Sequence, residues 1–134
     1  MTGYADTPLA KKLGIKEGSR LLLVQAPEHY LDLLAPLPDG VDFDREPGAA
    51  TDIVHLFTAS RAELEVFLAG WRGRLKPDGA IWVSWPKKAS KVDTDVTEGV
   101  IRTVALPMGY IDTKVCAIDD TWSGLKLVVR KSLR

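Results

Sequence analysis

The chain has 134 residues, 46% of them hydrophobic and 27% charged, the proportions of one globular domain over 1–134 rather than of a disordered or membrane protein. Eighteen basic and eighteen acidic residues cancel, which removes any general electrostatic case for duplex nucleic acid or an anionic membrane. The single cysteine, Cys116, excludes an internal disulfide, no apolar run approaches the roughly 20 residues of a membrane span, and the opening string MTGYADTPLAKKLG has no apolar signal core; the expectation is a soluble, cytoplasmic protein.

Thr7-Pro8 predicts the start of a short helix, with Thr7 as cap and Pro8 at its first position. Leu9, Ala10 and Leu13 face inward, Gly14 ends the helix, and Lys11 and Lys12 read as solvated charge. Residues 20–25 form the first strand, because Leu21-Leu22-Leu23-Val24 is continuously apolar, as a strand covered on both faces is. Ala26-Pro27 then turns the chain into a brief helix over 28–35 that buries Tyr30 or Leu31 together with Leu34, until Pro36, Pro38 and Asp39-Gly40 break it. Residues 41–43 read as a short second strand. Only residues 44–51 link it to the next strand, whereas a parallel crossover usually takes a dozen or more. Either 41–43 is not a regular parallel strand, or an uncovered loop crosses the sheet.

Residues 52–57 are a further apolar strand, and Ser60-Arg61-Ala62-Glu63 has the form of a capping box. Leu64, Phe67, Leu68, Trp71 and Leu75 follow at helical spacing. Pro77-Asp78-Gly79 turns into a strand carrying Ile81, Trp82, Val83 and Trp85; Pro86, which has no amide hydrogen to donate, stops it. Trp82 and Trp85 are separated by an odd number of positions and so point to opposite faces. Thr94 or Asp95 caps the next helix, whose inward face is Val100, Ile101, Val104, Ala105 and Met108. Strands over about 111–118 and 125–131 flank Asp119-Asp120-Thr121-Trp122-Ser123-Gly124, a hairpin loop.

Strands alternating with helices, then a hairpin, predict an α/β fold: a three-layer, Rossmann-like sheet, mostly parallel, with a C-terminal antiparallel hairpin. The stretch from Asp52 through Leu75-Lys76-Pro77-Asp78-Gly79 to Trp85, and on to the chain's end, resembles the second half of class I methyltransferases. That resemblance implies S-adenosylmethionine as cofactor. The first half departs from it: the family's glycine-rich turn falls here at Gln25-Ala26-Pro27-Glu28-His29-Tyr30, and no glycine lies between Gly18 and Gly40. Asp44 alone stands where an acidic group would hold a ribose. No cofactor is therefore expected, with S-adenosylmethionine kept as the alternative. The chain also resembles a small bacterial family of unknown function in Thr7-Pro8-Leu9-Ala10, Trp85-Pro86-Lys87-Lys88-Ala89-Ser90, Lys114-Val115-Cys116-Ala117-Ile118-Asp119 and Thr121-Trp122-Ser123-Gly124-Leu125-Lys126. This implies kinship without a chemistry.

The methyltransferase-like topology would bring the hairpin loop and the lysine loop after Pro86 to the carboxyl edge of the sheet, where open α/β sheets place their ligands. Lys87, Lys88, Ser90, Asp119, Trp122 and Ser123 are the candidate ligand-binding set. The two lysines offer point charges to a phosphate or carboxylate, and which of them faces the pocket is open, since successive residues of an extended loop point apart. Asp119 and His29 are the candidate acid–base groups, Asp119 being equally suited to the hairpin turn and Asp120 better suited to it. Ser90 and Ser123 are nucleophiles only beside a base. His55 reads as core and Cys116 as an inert strand thiol; one Cys and two separated His make no metal site. The leading expectation is a binding or regulatory domain for an anionic small molecule or an acidic protein segment. The alternatives are a methyltransferase-like enzyme with an atypical cofactor site and a plain interaction module, a homodimer included.

Overall fold

The computed structural model describes residues 7–134. Its centre is a six-stranded sheet in the order β2-β1-β3-β4-β6-β5. The strands are β1 (Arg20–Val24), β2 (Asp42–Asp44), β3 (Ile53–Phe57), β4 (Ala80–Pro86), β5 (Tyr110–Ala117) and β6 (Trp122–Val129). The first four run parallel, and the β5–β6 hairpin joins antiparallel through β6, which lies between β4 and β5. The fold is thus the mostly parallel α/β sheet with an antiparallel C-terminal hairpin that the order of elements predicts.

Helices cover both faces. On one side lie α1 (Leu9–Lys12) and α2 (Tyr30–Leu34), packed with Leu21, Ile53, Phe57, Trp82 and Ile118. On the other lie α3 (Arg61–Trp71) and α4 (Glu98–Ala105), packed with Leu22, Val54, Ile81, Val83, Trp85 and Leu125. Alternation along β4 divides the two tryptophans between these cores, and both are buried. Trp82 meets its polar requirement by donating its indole N–H to the Leu13 carbonyl at 3.0 Å, at the end of α1.

Several boundaries differ from the expected ones, each for a local reason. Helix α1 begins one residue later, with Pro8 at the cap position. Gly14, at φ +84°, then turns the chain away, a conformation that a side chain would strain. Helix α2 shrinks to Tyr30–Leu34; Tyr30 and Leu34 are buried and Leu31 is exposed. The strand expected over 41–43 is a regular parallel neighbour of β1, shifted by one to Asp42–Asp44. The uncovered-loop alternative holds: residues 45–52 cross without a helix. Their polar groups are satisfied by Thr51, which donates to Asp44 at 2.7 Å and accepts from the Gly48 amide at 3.0 Å, and by Asp52, which accepts the Arg20 amide at 2.9 Å.

Caps are redistributed as well. Ser60 Oγ accepts the Glu63 amide at 3.2 Å, the first half of a capping box. Glu63 does not reciprocate, because its carboxylate accepts from Thr58 at 2.8 Å and Gln25 at 3.2 Å. Helix α4 is capped by Thr97, not by Thr94 or Asp95. Thr94 instead donates to the Ala59 carbonyl, and Asp95 accepts the Arg61 amide at 2.7 Å in the first turn of α3. Strand β6 begins three residues earlier than expected, which takes Trp122, Ser123 and Gly124 out of the loop. Among the described residues, no helix is long and apolar enough to cross a membrane.

Candidate functional site

β1 has β2 on one side and β3 on the other, so the strand order reverses between β1 and β3. The carboxyl ends of that pair are the place where a doubly wound sheet opens a crevice. Here side chains bridge it. Gln25 leaves β1 at φ +59°, a left-handed conformation uncommon outside glycine, and its amide donates to the Phe57 carbonyl at 2.8 Å and to Glu63 at 3.2 Å. Thr58 adds its own bond to Glu63 at 2.8 Å. The gap between β1, β3 and α3 is thus closed by a Gln25–Glu63–Thr58 network. Sequence reading treated Glu63 only as half of a cap.

Asp44 is likewise engaged. One oxygen accepts from the Arg20 guanidinium at 2.5 and 2.9 Å, the other from Thr51 at 2.7 Å. The Thr51 hydrogen bond, joined by the Arg20 bond and charge, holds this carboxyl below its ordinary range despite opposing desolvation. It anchors the crossing loop.

One strand further on, the hairpin loop and the lysine loop meet. Asp119 is the junction: its Oδ1 accepts the amides of Thr121 and Trp122, each at 2.8 Å, which makes it rather than Asp120 the turn former. Its Oδ2 lies 2.9 Å from His29 Nε2, joining residues 90 apart in sequence. Burial raises the Asp119 pKa, but the His29 hydrogen bond and the amides of Trp122 and Thr121 outweigh it and leave it lowered. Lys87 donates its ammonium to the Asp119 carbonyl at 2.6 Å and its amide to the Thr121 carbonyl at 2.7 Å. The loops after β1, after β4 and between β5 and β6 are thereby clasped together.

Lys87 and Lys88 diverge. Lys87 is committed to that clasp, while Lys88 turns to the α4 side, where a cleft of about 510 Å³ opens at the carboxyl end of β4. Trp85, Pro86 and Val96 give this cleft an apolar floor with exposed Val92 at its rim, and Lys88 and Lys91 supply its cations, with Asp93 on the same lining. Neither lysine is in an ion pair with a described residue. Glu98, also on the lining, is paired with Arg102 at 2.6 Å. Lys91 takes φ +60°, and the loop keeps its shape because Ser90 Oγ donates to the Lys87 carbonyl at 2.6 Å and accepts the Val92 amide at 3.3 Å. Ser90 therefore shapes the loop.

The remaining candidates sit apart from the cleft. Trp122 packs edge-on to Phe57 with centroids 5.2 Å apart, the outer member of an aromatic stack that continues through His55 to Tyr30. Ser123 pairs with Trp85 in the ladder. His55 is fully buried between Tyr30 Oη at 2.7 Å and Ser84 Oγ at 2.6 Å. That chain has the connectivity of a nucleophile, a base and an orienting group, but every member is at most 1% exposed, so it holds the core together. Burial also raises the Cys116 thiol, opposed by Lys12, which leaves it protonated and unreactive. Among the described residues, no group of three or more His, Cys, Asp or Glu side chains is arranged to hold a metal.

Comparison with known proteins gives a consistent answer at the level of fold. No family model matches the chain, and no curated protein matches it. The resemblance to a small bacterial family therefore rests on the strings that suggested it. Solved structures do match. A SAM-dependent methyltransferase from Aquifex aeolicus superposes with TM-score 0.63 at 16% identity, over 90% of this chain and 88% of its own. A provisionally assigned type 11 methyltransferase from Sulfolobus solfataricus gives 0.62 at 13% identity, over 92% and 90%. TrmN from Thermus thermophilus gives 0.55 at 14% identity, over 90% of this chain and 47% of its own. The chain has the fold of the class I methyltransferases, and at these identities the likeness is one of architecture.

Proposed function

We propose that this chain is a ligand-binding domain on a methyltransferase-like scaffold, accepting a small anion with an apolar body in the cleft beside Lys88 and Lys91. The observation that carries the reading is the pairing of those two lysines, neither in an ion pair with a described residue, with the buried floor of Trp85 and Val96. Lysine is a point charge suited to phosphate or carboxylate, and an apolar wall with a few convergent polar groups is the usual make-up of a small-molecule site. The Lys87–Asp119–His29 clasp supports the cleft's other side by fixing where the lysine loop starts. The same surface could also receive the acidic side chains of a partner segment.

Phenyl phosphate is a suitable probe, combining a ring with a dianion. Calorimetry is expected to register binding to the wild type and a loss of at least about tenfold in affinity for the Lys88→Ala/Lys91→Ala variant. Equal affinity in the two proteins would defeat the reading.

A second reading, an S-adenosylmethionine-dependent methyltransferase, is favoured by the fold neighbours, two of which match over most of both this chain and their own length. The residues at the β1/β3 crevice do not fit that cofactor. Gln25 and Pro27 occupy a turn where glycine would let the backbone approach it, the Gln25–Glu63 bridge spans the opening, and Asp44 has both oxygens committed. No catalytic step is derived through it. Saturable heat with S-adenosylmethionine, lost when Gln25 or Asp44 is replaced, would favour this second reading over the first.

A further inference from the structure

On the α1 side of the sheet, away from the Lys88 cleft, three lysines converge. Lys126 lies in β6 with Trp82 as its partner across β4 and Lys114 as its partner across β5. Direct cross-strand neighbours share a face, so the two ammonium side chains rise side by side, an arrangement that costs stability. Lys16, just past α1, joins Lys126 along the rim of a cleft of about 420 Å³ at the amino-terminal ends of β3 and β4. Burial lowers the Lys126 pKa, and the charges of Lys114 and Lys16 lower it further.

The cleft's three carboxylates, Glu17, Asp52 and Asp78, make no ion pair with this group. Asp52 is bonded to the Arg20 amide and to Lys76, both at 2.9 Å. A lysine on an edge strand has an ordinary purpose, since it discourages edge-to-edge association. That accounts for Lys114 on β5. It does not account for Lys126, half-buried on the interior strand β6, nor for Lys16, which lies outside the sheet.

We infer that Lys16, Lys114 and Lys126 form an anion site for a diphosphate-type ligand, either a free oligophosphate or the phosphate tail of a nucleotide. Three point charges with no ion-paired carboxylate repel one another in the free protein, and the repulsion is relieved when a compact polyanion bridges them. The Ser19 hydroxyl, also on the lining, accepts the Lys16 amide at 2.9 Å and has its hydrogen to offer. This site shares no residue with the Lys88/Lys91 cleft, so the two assignments stand or fall separately.

Thermal unfolding with pyrophosphate, with adenosine diphosphate, and with sodium chloride at matched ionic strength tests the inference. The wild type and Lys88→Ala/Lys91→Ala are expected to be stabilised by both phosphates beyond the salt control, and Lys126→Met to lose that effect. Equal responses to the two phosphates indicate a free oligophosphate, and a stronger response to the nucleotide indicates its tail. Should Lys126→Met fold poorly, NMR of the lysine side chains in the wild type replaces it: pyrophosphate is expected to raise the Lys126 pKa. No shift beyond that of sodium chloride, or a shift kept in Lys126→Met, would overturn the assignment.

Discussion

Asp119 serves three partners with two oxygens, and the two oxygens are not worth the same. Its bond to His29 is a hydrogen bond to a half-exposed imidazole, a setting worth at most about 1 kcal/mol. Its bonds to the Thr121 and Trp122 amides organise the hairpin turn, and losing them strands polar groups in a partly buried loop, a cost of about 1–3 kcal/mol. Urea unfolding is therefore expected to rank the variants as His29→Ala mild, Asp119→Ala severe, and Asp119→Asn close to His29→Ala, because asparagine keeps the amide acceptor. Similar losses for His29→Ala and Asp119→Ala would show that the His29 bond, not the turn, dominates. His55 has a different signature. Burial lowers its pKa from 6.5 to about 3, so between those values the unfolded chain binds a proton that the folded chain refuses. Its contribution to stability is complete above the ordinary histidine range and declines as the pH falls toward 3. Urea midpoints taken from neutrality down to pH about 5, above the range where ordinary carboxylates titrate, are expected to fall, with a shallower slope in His55→Gln. A flat profile in the wild type would contradict the buried neutral imidazole.

At the scale of elements, what could be read in advance was what depends on periodicity, and what could not depends on partners far away in the chain. Leu64, Leu68 and Trp71 mark the inner face of α3 by spacing alone, and they are buried. Caps are harder, because Ser, Thr and Asp compete for any nearby amide. Asp95 stands one turn before α4, yet its carboxylate crosses to the Arg61 amide, and Thr97 takes the cap. Thr97→Ala is expected to cost about 0.5–2 kcal/mol in chemical denaturation through the fraying of α4; no change would reassign the cap. The early start of β6 has a packing cause. A Cβ added at Gly124 would lie 3.1 Å from the Ile118 side chain and 3.3 Å from both Trp82 and Ser84. Read as a loop glycine, it is in fact the close contact that lets β6 lie against β4. Gly124→Val is expected to destabilise by about 1–3 kcal/mol through overpacking, measured as a lowered melting temperature, and an unchanged melting temperature would dispute that contact.

The whole molecule combines a familiar fold with the site proposed above. The mostly parallel sheet, the strand–helix–turn–strand run into β4 and the C-terminal hairpin were legible from the order of elements, and the meeting of the hairpin and lysine loops at one edge followed from the resemblance to methyltransferases. The division of labour between Lys87 and Lys88 was not, because it depends on which loop carbonyl each ammonium reaches, and Asp119 approaches from 32 residues away. Nor was the closure of the β1/β3 crevice, which rests on a left-handed Gln25. The scaffold thus bridges the β1/β3 crevice, and at the carboxyl edge a cleft opens beside Lys88 and Lys91. Amide NMR on the labelled protein, titrated with phenyl phosphate and separately with S-adenosylmethionine, tests this most directly. Phenyl phosphate is expected to shift the amides of residues 85–98 saturably, while S-adenosylmethionine leaves residues 25–30 and 58–60 in place. Saturable shifts of residues 25–30 with S-adenosylmethionine, and none over 85–98 with phenyl phosphate, would contradict the account.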